Sequence, residues 1–138
     1  MGGEIQITQK SAEWETSELY PGLRWQFSVN TGVTDSNGLS CGYLQIAAGA
    51  ELPLHFHKEQ EIYIITKGNA ELLTGENATR SVRAGDTVYI PENSWHGIRN
   101  TGRTNIEFIW IFPTDSWQDV RYVFANADLN QSPTDFSD

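Results

Sequence analysis

Cysteine occurs once in these 138 residues, methionine once and histidine three times. With Cys41 as the single thiol, no intramolecular disulfide can form, which excludes a disulfide-stapled scaffold. Cys41 reads as a small buried hydrophobe in a strand. Basic residues are scarce as well: 9 Lys and Arg stand against 18 Asp and Glu, a formal net charge of −9. That balance repels phosphate backbones and anionic lipid surfaces, and no basic cluster offsets it, so nucleic acid and membranes are poor candidates as partners. No apolar run approaches the length of a membrane span. The start, Met1-Gly2-Gly3-Glu4-Ile5-Gln6, lacks the basic residues and apolar stretch of a signal peptide. The expected location is the cytoplasm.

What is present is ample material for one β-rich core. Hydrophobic residues make up 38% of the chain and aromatics 12%, and the length suits a single domain. Helical periodicity is largely absent. Short segments rich in β-branched and aromatic residues recur instead, at 23–29, 39–47, 61–66, 70–74, 79–82, 87–90, 97–100 and 106–112. Gly68-Asn69, Gly75-Glu76-Asn77 and Asn100-Thr101-Gly102 supply turn chemistry between them. This pattern predicts an all-β antiparallel sandwich or barrel. Residues 1–20 are expected along its outside, residues 21–125 in the barrel, and the polar, acidic residues 126–138 in a disordered or loosely docked tail. The segment 61–66 is apolar on both faces, with Ile62 and Ile64 opposite Tyr63 and Ile65. Such a strand packs against a second sheet or a partner subunit.

All three histidines fall at the spacing of a metal site. They lie in Gly49-x5-His55-x-His57-x3-Glu61-x6-Gly68 and in Gly85-x5-Pro91-x4-His96-x3-Asn100. Side chains alternate along a strand, so His55 and His57 point the same way on an extended segment. Tyr63 shares the face of Glu61, two residues on. His96 must return from a different strand, and such ligands converge inside a curved, closed β architecture. Three imidazoles and a carboxylate without thiolate suit Fe(II), Mn(II), Ni(II), Co(II) or Zn(II) and leave the choice among them open. An open coordination position would admit a small-molecule substrate bearing a carboxylate. Tyr63 then has two readings: a base brought toward its phenolate by a nearby divalent cation, or an aromatic residue that packs the core.

These two stretches resemble the paired motifs of the cupin superfamily, G-x5-H-x-H-x(3,4)-E-x6-G and G-x5-P-x-G-x2-H-x3-N. The match departs once, where Asn93 replaces the usual glycine of a turn that needs positive φ, a geometry Asn tolerates well. The resemblance implies a single-domain cupin jelly-roll β-barrel, metal ligands at His55, His57, Glu61 and His96, and a homodimer formed through sheets. Over roughly residues 13–124 the chain is similar to a group of small cupins that includes dimethylsulfoniopropionate lyases of the short cupin type. The stretches that carry this likeness are Tyr20-Pro21-Gly22-Leu23-Arg24-Trp25, Glu61-Ile62-Tyr63 and Glu107-Phe108-Ile109-Trp110-Ile111-Phe112-Pro113-Thr114-Asp115. It implies Tyr63 as catalytic base, Tyr122 as a second active-site tyrosine, and β-elimination of dimethyl sulfide to leave acrylate. Trp25, Trp95 and Trp110 are candidates to line a pocket for the sulfonium, although an ordinary structural role is the first expectation for each. Two other classes of function fit the same fold. One is a different metal-dependent cupin enzyme, an Fe(II) dioxygenase or a sugar-acid isomerase. The other is a non-enzymatic small-molecule-binding cupin.

Overall fold

In the computed structural model, which describes residues 3–126, the chain forms two antiparallel sheets packed face to face. The strands are β1 (Glu15–Thr16), β2 (Leu23–Val29), β3 (Ser40–Ile46), β4 (Glu51–Phe56), β5 (Glu61–Lys67), β6 (Asn69–Thr74), β7 (Thr79–Arg83), β8 (Thr87–Ile90), β9 (His96–Arg99), β10 (Ile106–Phe112) and β11 (Val123–Phe124). One sheet has the order β1-β2-β3-β10-β5-β8 and the other β11-β4-β9-β6-β7. Among the described residues, helix is confined to two 3-10 turns, Gln9–Ser11 and Trp117–Asp119. This is the all-β cupin jelly roll. No helix among the described residues is long and apolar enough to cross a membrane. Of the expected tail at 126–138, all but Asn126 lies outside the described residues.

Alternation along the strands builds the core. In β10 the residues Ile106, Phe108, Trp110 and Phe112 are almost fully buried between the sheets, while Ile109 and Ile111 lie on the opposite face and are only partly buried. Cross-strand register extends that outer face: Ile109 pairs with Tyr43 and Ile64, and Ile111 pairs with Cys41 and Ile62. The result is a contiguous apolar strip on the outside of the larger sheet. At one end of the strip the surface turns polar, and the N-terminal segment covers it. Gln26 donates to the carbonyls of Gln9 and Ala12. Gln9 donates in turn to the buried carboxylate of Glu107, which also accepts from Gln45 and Thr66.

Two local features place the histidines. Asn93 adopts φ 61°, the left-handed geometry expected of it, and turns the chain from Pro91 into β9. The pairing of β4 with β9 shifts register between Leu52 and His55, a bulge centred on Pro53, which has no N–H to give the ladder. Opposite it stands Gly97, where an added Cβ would lie 2.7 Å from the Leu52 carbonyl oxygen. Only glycine allows this approach, and the register beyond the bulge sets His55 directly against His96.

Candidate metal centre

His55 near the end of β4, His57 just past its end and His96 at the start of β9 turn their rings into the space between the sheets, where they are 0%, 1% and 3% exposed. Each ring is fixed by a backbone carbonyl two residues away. Nδ1 of His55 lies 2.7 Å from the Pro53 oxygen, Nδ1 of His57 2.9 Å from the Glu59 oxygen, and Nδ1 of His96 2.8 Å from the Ser94 oxygen. A carbonyl only accepts, so each Nδ1 is a donor, and in its neutral form each ring presents the Nε2 lone pair to the centre. Burial, and then the adjacent His96, hold the His55 imidazole well below the usual histidine range, which keeps that ring neutral. One nitrogen from each ring lies within 4.8 Å of the others, and the trio could hold a metal ion.

Glu61, at the start of β5, enters from the facing sheet. Its Oε1 stands 3.1 Å from Nε2 of His57 and 3.3 Å from Nε2 of His96. In the neutral rings, whose one proton goes to a carbonyl, these Nε2 atoms are acceptors facing an acceptor. Nε2 of His55 and of His96 are buried without a hydrogen-bond partner. Unpaired buried acceptors are costly, and a cation held among them removes the cost. The donor set therefore fits a divalent transition metal, with a backbone carbonyl on Nδ1 fixing each ring as such sites require.

Two tyrosines close on the same cluster. Tyr63, on β5, is 1% exposed. It packs on Phe108 at 4.4 Å and on His96 at 6.0 Å between ring centroids. Tyr122, ahead of β11, stacks on His55 with centroids 4.6 Å apart and lies 5.3 Å from His57. Its hydroxyl accepts a 2.7 Å hydrogen bond from the indole N–H of Trp117. Burial, then the charge of Glu61, push both phenols well above their ordinary range. Without added positive charge both hold their protons. A groove of about 610 Å³ opens beside His96, lined by Leu72, Val88, Asn93 and Trp95 among others.

The six residues singled out in the sequence thus meet in one buried cluster. The tryptophans divide differently. Trp25 and Trp110 pack against Trp117, at 5.3 and 5.0 Å, in the aromatic core. Trp95 lies edge-on to Phe56 at the groove. Trp117, the tryptophan that reaches the cluster through Tyr122, lies beyond both motifs and carries no spacing signal that would single it out.

The fold and this cluster define a cupin with a metal-competent centre. The cupin domain family matches residues 42–112, and the chain belongs to that family. Among curated proteins it is similar to dimethylsulfoniopropionate lyase DddW of Ruegeria pomeroyi, at 26% identity over 80% of this chain and 71% of that protein. It is also similar to oxalate decarboxylase OxdC of Bacillus subtilis, at 26% identity over 94% of this chain but 36% of that protein. Among solved structures, the polyketide cyclase RemF of Streptomyces resistomycificus superposes with a TM-score of 0.78 over 95% of each chain at 18% identity, a likeness of fold alone.

Proposed function

We propose that this chain is a metal-dependent carbon–sulfur lyase that cleaves dimethylsulfoniopropionate to dimethyl sulfide and acrylate. The observation that carries this reading is the convergence of Tyr63 and Tyr122 on a buried histidine–carboxylate centre, in a chain with a lyase among its relatives. His55, His57, Glu61 and His96 would hold Fe(II), Mn(II), Ni(II), Co(II) or Zn(II), which supplies Lewis acidity toward the substrate carboxylate. The protein's own groups do the rest. Tyr63, as phenolate, takes a proton from the carbon next to the carboxylate. The electrons of that C–H bond form the C=C bond of acrylate, the C–S bond breaks, and its electron pair leaves on sulfur as dimethyl sulfide. Because burial and Glu61 oppose ionisation of Tyr63, its base form depends on positive charge in the centre. Tyr122, held by Trp117, orients the carboxylate. The apolar strip of Tyr43, Ile62, Ile64, Ile109 and Ile111 supports a homodimer through the larger sheet.

The test is headspace dimethyl sulfide from metal-reconstituted protein given dimethylsulfoniopropionate. Release that depends on metal and falls at least ~100-fold in Tyr63→Phe, with metal content unchanged, supports the assignment. No release with any of the five metals ends it and turns the search to oxygen consumption, isomerisation of sugar acids and ligand binding alone. The match to oxalate decarboxylase across 94% of the chain adds decarboxylation of small dicarboxylates to those assays.

A further inference from the structure

Tyr63 is carried on β5, a strand paired on both sides. Tyr122 has no such frame. It lies one residue ahead of β11, a strand of two residues at the edge of its sheet, so its place over His55 depends on side chains. Trp117 supplies one of them, through the 2.7 Å bond from its indole N–H to the Tyr122 hydroxyl. Trp117 in turn opens a 3-10 turn of only three residues, and Ser116 ahead of it gives that turn no side-chain cap. A single turn of this kind does not hold itself.

What holds it is Asn30, just past the end of β2 and 1% exposed. Its Oδ1 accepts the backbone N–H of Trp117 at 2.8 Å. Its Nδ2 donates to Oε1 of Gln118 at 2.9 Å and to Oγ of Ser116 at 3.3 Å. One side-chain amide thus grips three consecutive residues from 86–88 positions away in the chain. A backbone N–H only donates, so the amide can face the turn in one orientation alone. A buried amide is costly unless it is satisfied, and here the turn satisfies it. The Trp117 ring is wedged against Trp25 and Phe27, at 5.3 and 5.7 Å between centroids, so a fixed backbone becomes a fixed indole N–H. That N–H can only donate. The Tyr122 oxygen is therefore the acceptor in the bond, and its own proton is directed to a different acceptor.

We propose that Asn30 is a positioning residue for the histidine centre: through Trp117 it sets the Tyr122 hydroxyl to donate to a carboxylate held there. The inference deepens the reading above and rests on it only in taking the centre to be a metal site that accepts a carboxylate. It does not require that any bond be cleaved.

The test is calorimetric binding of acrylate to the Zn(II)-loaded protein, with the indole N–H signals followed by heteronuclear NMR. Asn30→Ala should weaken acrylate about tenfold, the scale of one hydrogen bond to a charged group. It should also move the Trp117 indole signal toward its position in Tyr122→Phe. In the Tyr122→Phe background the same substitution should change acrylate affinity by less than about twofold. Asn30→Asp keeps the oxygen that takes the Trp117 N–H, and the exposed Gln118 can turn its amide nitrogen to the new carboxylate. Its affinity should stay within about threefold of wild type. A loss in Asn30→Ala that is as large without the Tyr122 hydroxyl would mark a general structural role and overturn the proposal. Unchanged affinity in Asn30→Ala overturns it too, as does a wild type that binds no acrylate. If Asn30→Ala does not fold, Gln118→Ala takes its place in the cycle, because it removes the nearer partner of the Asn30 amide nitrogen at an exposed position. It should cost about threefold, and no loss there overturns the proposal. An affinity that follows Asn30 through Tyr122, in a protein that releases no dimethyl sulfide, would leave this inference standing and remove the lyase. Dimethyl sulfide release with wild-type kcat and KM in Asn30→Ala would do the reverse.

Discussion

The carboxylate of Glu61 stands 3.1 Å from Nε2 of His57, while Nδ1–H of that ring donates to the Glu59 carbonyl. In the neutral ring two lone pairs then face each other, and they repel unless a positive charge lies between them. The centre should therefore stabilise the fold when it is filled. Adding Zn(II) or Co(II) to chelator-treated protein at about a thousandfold over Kd should stabilise it by about 4 kcal/mol, a rise in Tm of roughly 10 °C. His96→Ala should remove most of that rise. An unchanged melting curve with every divalent ion tried would show that the cluster does not bind metal.

Glu107 gives an acid limb to stability that is independent of the metal. Burial pushes its carboxyl up, but hydrogen bonds from Gln45 and Thr66, the charge of Lys67 and the Gln9 amide outweigh it and hold the group below its ordinary value. The unfolded chain therefore takes up this proton first as pH falls. The contribution is complete above the usual carboxylate range, near pH ~4.3, and is lost as pH drops through the depressed native value. Urea titrations should find wild type more stable than Glu107→Gln at pH 7, with the gap narrowing below about pH 4.3. A gap that stays constant into acid would assign it to packing instead.

Gly97→Ala should damage stability and metal binding together. The new methyl would lie 2.7 Å from the Leu52 oxygen and 3.1 Å from the Leu54 nitrogen. Both are backbone atoms of the bulge that sets the His55–His96 register, and neither can swing aside. A loss of about 1–3 kcal/mol is expected, with weaker metal affinity in the folded fraction. Native affinity and native Tm would show that β4 and β9 have room to part.

The outer strip of the larger sheet is tested by charge. Ile64→Glu, next to Ile109 in the register, should convert a dimer to monomer in light scattering without lowering metal content. A wild type that is already monomeric at tens of micromolar would refute the dimer.

Much of this molecule was legible before any coordinates. Strands at 23–29, 87–90 and 106–112 match β2, β8 and β10 end for end, because alternation and turn residues bound them clearly. The segment most needed for the site was not among the expected strands. β4 carries His55, yet Pro53 interrupts its alternation and the bulge there breaks the period of two. Alternation places His55 and His57 on one extended segment; His57 lies one residue past the end of β4, with Phe56 still turned away toward Trp95. The spacing of the ligands carried the centre without the strand. Trp117 has no such signal: its relation to the cluster is a hydrogen bond to Tyr122, which is not a property of one-dimensional order.

Each imidazole of the centre takes its orientation from a carbonyl two residues away along its own chain segment. A main-chain oxygen is the one hydrogen-bond partner that substitution cannot delete. Where a carboxylate fixes a ligating histidine, a single base change can release the ring. Here it cannot, short of changing the histidine or bending its loop. The aim of the three nitrogens is thereby insulated from drift in the surrounding side chains.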